Sequence, residues 1–468
     1  MLKNNLLSFE SIEKLKIEDV QKIYVDHINS AQVDILKTFS FGRTLLNSAS
    51  GEYLTTEDGR KIFDATVSAG VMGLGHNNER ILNIRKKFCE NKSVELQKLL
   101  LSRYQAGLAH NLAKISPGKL SKCFFCNSGS ESVEGALKLA YKYHEGKRSK
   151  VLVSDIAFHG NLLGSGGLTS RMHKDFSFPT ISGIEKYIYG DIESVIELVK
   201  KSPDDIYAIM IEPVSASSML QLSNTFLRKV RDICDKYKIV LICDEIYTGM
   251  GKTGNFYAFE KSEIIPDIVT ISKTLGGGKA SISCFLADTS IFKKAYENMN
   301  DAYLHSTTYQ GMGEECVTAI EAINIIVENN YLERVREIES LANFELEKLR
   351  EQNEDKVSEI RSNGSMFAIV LKEDLYSNLQ SALSLLPVKL TKDKAFIKKL
   401  YLSSVMNELF LNHNILLSLD THRSVPLVIS FPYIVTDENI KLVIESINTV
   451  LQKNSVTLIS KFIKNKVF

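Results

Sequence analysis

Between about Lys150 and Asp288 the chain repeats one theme that narrows its fold more than any other feature. Short apolar β-like runs are separated by helical or loop segments: Val151-Leu152-Val153, Ala208-Ile209-Met210-Ile211, Ile239-Val240-Leu241-Ile242-Cys243, Ile268-Val269-Thr270-Ile271 and Cys284-Phe285-Leu286. Successive strand residues point to opposite faces, so a continuously apolar strand has to be covered on both. The alternation predicts an α/β fold with a mostly parallel sheet sheathed in helices. A helix is expected from Glu131, where Val133, Ala136, Leu137, Ala140 and Tyr141 repeat at i, i+3, i+4, i+7 and i+8 along one face.

The flanks read differently. Gly51 to Asp64 forms two alternating runs around Asp58-Gly59, a favoured hairpin turn. From Tyr331 a charged helical pattern runs to Asn353, followed by strand-like Met366-Phe367-Ala368-Ile369-Val370. The expected organisation is a large domain over residues 81–335 and one small α+β domain assembled from residues 1–80 and 336–468.

With 57 basic and 56 acidic residues the net charge is +1, which gives no electrostatic case for nucleic acid or an anionic membrane as the main partner. The opening Met1-Leu2-Lys3-Asn4-Asn5-Leu6 lacks the apolar core of a secretory signal, and no run approaches the length of a membrane span. A cytoplasmic protein is expected. The seven cysteines are scattered, some inside apolar strands (Cys243, Cys284), where a reduced thiol behaves as a small hydrophobe; no disulfide is expected.

Two polar residues stand out against this frame. Asp244 and Lys273 each follow an apolar run, so both should emerge at carboxyl ends of strands, where open α/β sheets bind ligands. Lys273 also precedes Leu275-Gly276-Gly277-Gly278, whose glycines permit close approach to a ligand. A lysine amine and a carboxylate so placed suit pyridoxal phosphate, whose aldehyde condenses with an amine and whose ring nitrogen takes an acidic partner. Asn127-Ser128-Gly129-Ser130-Glu131 supplies a capping box and, at Gly129 and Ser130, free amides and a hydroxyl at a helix start, a ready phosphate site. Phe158, beside His159-Gly160, can turn its ring to a planar cofactor, and Glu212 adds a second acid at the carboxyl edge.

Other patterns fail on inspection. Gly251-Lys252-Thr253 lacks the earlier glycine of a nucleotide loop, since Ile246 stands there. Cys123 and Cys126 have no second pair and lie in an apolar run, which argues against zinc or redox chemistry; no metal is expected.

Taken in order, these segments resemble the class III pyridoxal-phosphate aminotransferases, which include ornithine, putrescine and other ω-amino-group transaminases. The resemblance runs from Gly51–Asp64 and Leu74-Gly75-His76 through Phe124–Ala140, Phe158-His159-Gly160, Ile211-Glu212-Pro213-Val214, Cys243–Gly254, Pro266-Asp267-Ile268 and Ser272–Gly278 to His305-Ser306-Thr307-Thr308-Tyr309. It implies fold type I with a mostly parallel seven-stranded sheet. It also implies a ping-pong transfer of an amino group between an amino acid or ω-amine donor and an aldehyde or keto acceptor. Lys273 then resembles the Schiff-base lysine and general base, Asp244 the partner of the pyridine nitrogen, Gly129 and Ser130 the phosphate loop, and Phe158 the stacking aromatic. Thr308 resembles the threonine that reaches the phosphate of a neighbouring subunit, which implies a homodimer with shared active sites.

Three positions depart from the family pattern. Tyr247 replaces the glutamine that commonly contacts the cofactor phenolic oxygen, and a phenol can donate the same bond. Met312-Gly313 follows Gly311 where Asn-Pro is common. Val428 occupies the place of an arginine that often holds the substrate carboxylate; Arg423, five residues earlier, is the alternative candidate, with Glu212 a second substrate contact. Rival readings are an aminomutase or racemase, which would isomerise one substrate without an external acceptor, and a silent cofactor-binding protein, against which the presence of both Lys273 and Asp244 argues.

Overall fold

A computed structural model describes residues 6–170, 180–383, 394–419 and 426–467. At its centre lies a seven-stranded sheet with spatial order Leu120–Cys126, Ser283–Asp288, Ile268–Ile271, Val240–Asp244, Ile206–Ile211, Lys150–Ser154 and Ile184–Tyr187. Only Ser283–Asp288 runs against the others, antiparallel to both its neighbours. The sheet is therefore mostly parallel, as its uniformly apolar strands require. Ile209, Ile211, Leu241 and Cys243 join one core, and Ala208, Met210, Val240 and Ile242 join another on the opposite face. The helix Gly129–Tyr143 starts two residues before Glu131 and buries Val133, Ala136, Leu137 and Ala140 in that second core, whereas Tyr141, expected on the same face, is exposed.

Several short or edge strands carry no apolar run that the sequence reading could use, among them Ile184–Tyr187 and Val357–Asn363. Ile184–Tyr187 is short and sits at the edge, and Val357–Asn363 alternates with charged residues on a partly exposed edge, so neither forms an apolar run.

Tyr53–Thr56 and Lys61–Asp64 pair antiparallel around the Asp58-Gly59 turn, and Leu46–Ser50 extends the sheet. Ile415–Leu416, from the far end of the chain, adds a parallel strand beside Lys61–Asp64. A third sheet holds Val357–Asn363, Met366–Leu371, Leu427–Ser430 and Ser418–Leu419. The helices Tyr331–Gln352 and Asp437–Gln452 share its core, which also takes in Phe63 and Ala65. Among the described residues no helix is long and apolar enough to cross a membrane.

Candidate active site

Six of the seven strands point the same way, and five of them bring the residues at or after their carboxyl ends to one cavity of about 360 Å³. Asn127 to Ser130 follow the first strand, Phe158 to Asn161 follow Lys150–Ser154, Glu212 follows Ile206–Ile211, Asp244 ends Val240–Asp244, and Lys273 follows Ile268–Ile271; all line it. The reversed strand contributes its amino end, through Ala280, Ser281 and Ile282.

Asp244 is buried and anchored through both carboxylate oxygens. One carboxylate oxygen lies 2.7 Å from His159 Nδ1, and the other accepts the Thr270 hydroxyl at 3.0 Å and the Ile246 amide at 3.1 Å. Burial opposes charge on His159, but the hydrogen bond and charge of Asp244 outweigh it and raise the imidazole above its ordinary value. His159 was not singled out as a site residue. Its only signal was its place after Phe158, and the contact joins residues 85 positions apart.

Lys273 opens a short 3₁₀ turn with φ of +49°, a left-handed conformation unusual for a side chain this large and of the kind that collects at functional sites. Burial pushes its ammonium down to about 8, while the carboxylates of Asp244 and Glu212 favour the charged form. Its Nζ stands 4.1 Å from the centre of the Tyr247 ring.

The Tyr247 hydroxyl lies 3.2 Å from Ser430 Oγ, and its ring packs with Met219, Met366, Ala368 and Val428. The ring, more than the hydroxyl, is what faces Lys273. Val428 thus lies buried beside Tyr247 in an apolar cluster. Lys252, set aside with the failed nucleotide loop, is buried on the same ring, with Nζ 4.8 Å from its centre and a hydrogen bond to the Gly70 carbonyl.

At the other end of the cavity, Ser128 caps the helix by accepting the Glu131 amide at 3.3 Å. The expected capping box is only half present: Glu131 accepts from the amide and side chain of Asn127 instead, tying down the loop one residue earlier. The first amides of the helix, at Gly129 and Ser130, have no intrahelical carbonyl to bond and are suited to an anion. Ser130 Oγ accepts the Asn161 amide at 3.3 Å. Gly160, at φ of +123°, passes so close that an added Cβ would lie 2.3 Å from Ser130 Oγ, so only glycine leaves this cradle open. Phe158, on the cavity wall, is 38% exposed.

Glu212 accepts the Phe158 amide at 3.0 Å and the Ala216 amide at 2.9 Å, one on each oxygen. It therefore ties together two loops of the cavity wall, and burial pushes its carboxyl up to about 7. Thr308 is exposed and does not line the cavity of its own chain. Arg423 lies outside the described residues. Burial pushes the Cys123 thiol up to about 12, opposite to what a metal or redox pair needs.

The donor set fits pyridoxal phosphate: an anion cradle at a helix start, a ring wall, an anchored carboxylate and a buried amine surround one cavity. The fold has close solved counterparts. A transaminase from the marine bacterium Virgibacillus superposes with TM-score 0.77 at 20% identity, over 88% of this chain and 94% of that one. Ornithine aminotransferase from Toxoplasma gondii ME49 gives 0.78 at 19%, over 96% and 98%. A second Toxoplasma gondii ornithine aminotransferase structure, described with partial occupancy of PLP at its active site, gives 0.78 at 19%, over 95% and 96%. The sequence model of the family Aminotransferase class-III matches residues 41–451. The chain belongs to the class III aminotransferases and is a pyridoxal-phosphate-dependent transferase of amino groups.

Proposed function

We propose that the chain carries an amino group from a small-molecule donor, an amino acid or ω-amine, to an aldehyde or keto acceptor by a ping-pong sequence, with Lys273 as its base. The observation that carries this reading is the meeting of the Lys273 amine and the anchored Asp244 carboxylate in one cavity that ends at a helix start. When bound, the cofactor supplies an electron-withdrawing ring that accepts the electron pair left by proton removal.

The chain's own residues do the rest. With its amine near 8, Lys273 can take a proton at Nζ and return it near neutral pH. Asp244, oriented by His159, Thr270 and the Ile246 amide, pairs with the ring nitrogen. Gly129 and Ser130 hold the phosphate, Phe158 covers the ring and Tyr247 borders it beside Lys273. Glu212 and Arg423 are the candidate substrate contacts; the bonds of Glu212 to two backbone amides favour a shaping role for it.

Thr308 serves a partner's phosphate in a homodimer. Support comes from exposed apolar residues on two adjoining segments: Leu99, Leu100 and Leu101 on one, Met299, Tyr303 and Tyr309 on the other. The small domain is drawn from residues 1–80 and 336–468, supported by the core that Phe63 and Ala65 share with Phe367 and Ile429. A cytoplasmic location is supported by free thiols buried in apolar strands.

Two measurements test the reading. Donor alone should release about one equivalent of carbonyl product per cofactor-loaded site, and product only when both substrates are present would refute the ping-pong order. Lys273→Ala should lower amino transfer by at least about a thousandfold with the fold intact; retention within about tenfold would remove Lys273 from the role. A donor panel of glutamate, alanine, ornithine, putrescine and β-amino acids against several aldehydes then identifies the substrates.

A further inference from the structure

We propose that the face of the Tyr247 ring is the platform on which the ammonium form of Lys273 rests, so that Tyr247 acts in this site through its π face and not through its hydroxyl. The inference rests on the reading of Lys273 as the working amine. It assigns Tyr247 a different duty from a donor to the cofactor phenolic oxygen.

Three observations carry it. Lys273 Nζ lies 4.1 Å from the ring centre, within the range at which an aromatic face attracts a cation. The hydroxyl is directed to Ser430 Oγ on the strand Leu427–Ser430, with the ring held among Met219, Met366, Ala368 and Val428. The second buried amine, Lys252, stands 4.8 Å from the same ring centre and is fastened to the Gly70 carbonyl. An amide in place of the ring would offer Lys273 a local dipole but no face of this area. In a cycle where the amine alternately gains and loses a proton, a nearby π face favours the charged state at the moment it forms.

The charged and titratable groups around Lys273 are the carboxylates of Asp244 and Glu212 from two adjoining strand ends, His159 behind Asp244, and Lys252 from the loop after Asp244. Of these, Lys252 shares the Tyr247 ring, so the face-deleting variants act on it as well as on Lys273, and acetylation of Lys252 is followed in the same spectra.

The test reads Lys273 directly and without turnover. In the full-length chain freed of cofactor, the rate of acetylation of Lys273 by acetic anhydride is followed against pH by mass spectrometry of its peptide, since only the neutral amine reacts. Tyr247→Phe keeps the face and should leave the midpoint within about 0.2 pH unit of the parent. Tyr247→Leu and Tyr247→Gln remove the face and should each lower the midpoint by about half a unit or more. A midpoint that stays or rises in the face-deleting variants overturns the proposal, and so does a shift of half a unit in Tyr247→Phe, which by itself decides the matter if the other two do not fold. Because no catalysis is measured, failure here is distinct from failure of Lys273 to serve in amino transfer, which the activity of Lys273→Ala reports.

Discussion

Glu212→Gln should make stability less dependent on pH in a window set by its burial. The Glu212 carboxyl lies at about 7 in the folded chain against an ordinary 4.5, chiefly because burial penalises the carboxylate. The folded state therefore holds a proton that the unfolded state has already lost. Its stabilising contribution is fully present below 4.5, declines as pH rises and is gone above about 7. At 1.36 kcal/mol per unit the change amounts to about 3 kcal/mol. The amide cannot ionise and carries no such slope. It keeps one acceptor for the Phe158 or Ala216 amide and turns an N–H towards the other, which costs about 1–3 kcal/mol at every pH. The variant should thus be the less stable protein at pH 5, with the deficit shrinking or reversing by pH 8. Glu245, also raised to about 7 by burial, contributes the same slope to both proteins and cancels from their difference. Thermal midpoints of the cofactor-free chains from pH 5 to 8 provide the measurement. A constant difference between the two proteins across that range would refute the burial argument.

Two further substitutions probe the cofactor cradle. Gly160→Ala would place a methyl 2.3 Å from Ser130 Oγ at a φ of +123°, so phosphate affinity should fall at least about tenfold while the helix Gly129–Tyr143 persists; unchanged cofactor affinity by equilibrium dialysis would contradict it. His159→Leu takes one hydrogen-bond partner from the buried Asp244 carboxylate, at a cost of about 1–3 kcal/mol. It should loosen cofactor binding and lower the thermal midpoint together, and a variant unchanged in both would show that the His159 contact does no orienting.

Much of the fold was legible because local rules govern it. Ala208–Ile211 and Ile239–Cys243 are apolar on every residue, and a sheet covered on both faces demands that pattern. Asp58-Gly59 forms its turn from its own chemistry, and Ser128 caps its helix from one position before it. Val357–Asn363 escaped notice because a strand at a sheet edge is free to carry Glu359 and Arg361. Ile184–Tyr187 was too short to show a period.

The sequence by itself determined the α/β class, the sheet's apolar strands and the identity of the groups at their carboxyl ends. It singled out Lys273 and Asp244 as the candidate pair for the chemistry, because a charged residue at the end of an apolar strand has few places to go. Only the tertiary structure decided what those groups touch. It placed His159 against Asp244 across 85 residues, directed both oxygens of Glu212 to backbone amides, and laid Lys273 and Lys252 on the ring of Tyr247. Strand formation follows from neighbours in sequence, whereas hydrogen bonds, cation–π contacts and desolvation depend on distances of a few ångströms between segments that only folding brings together.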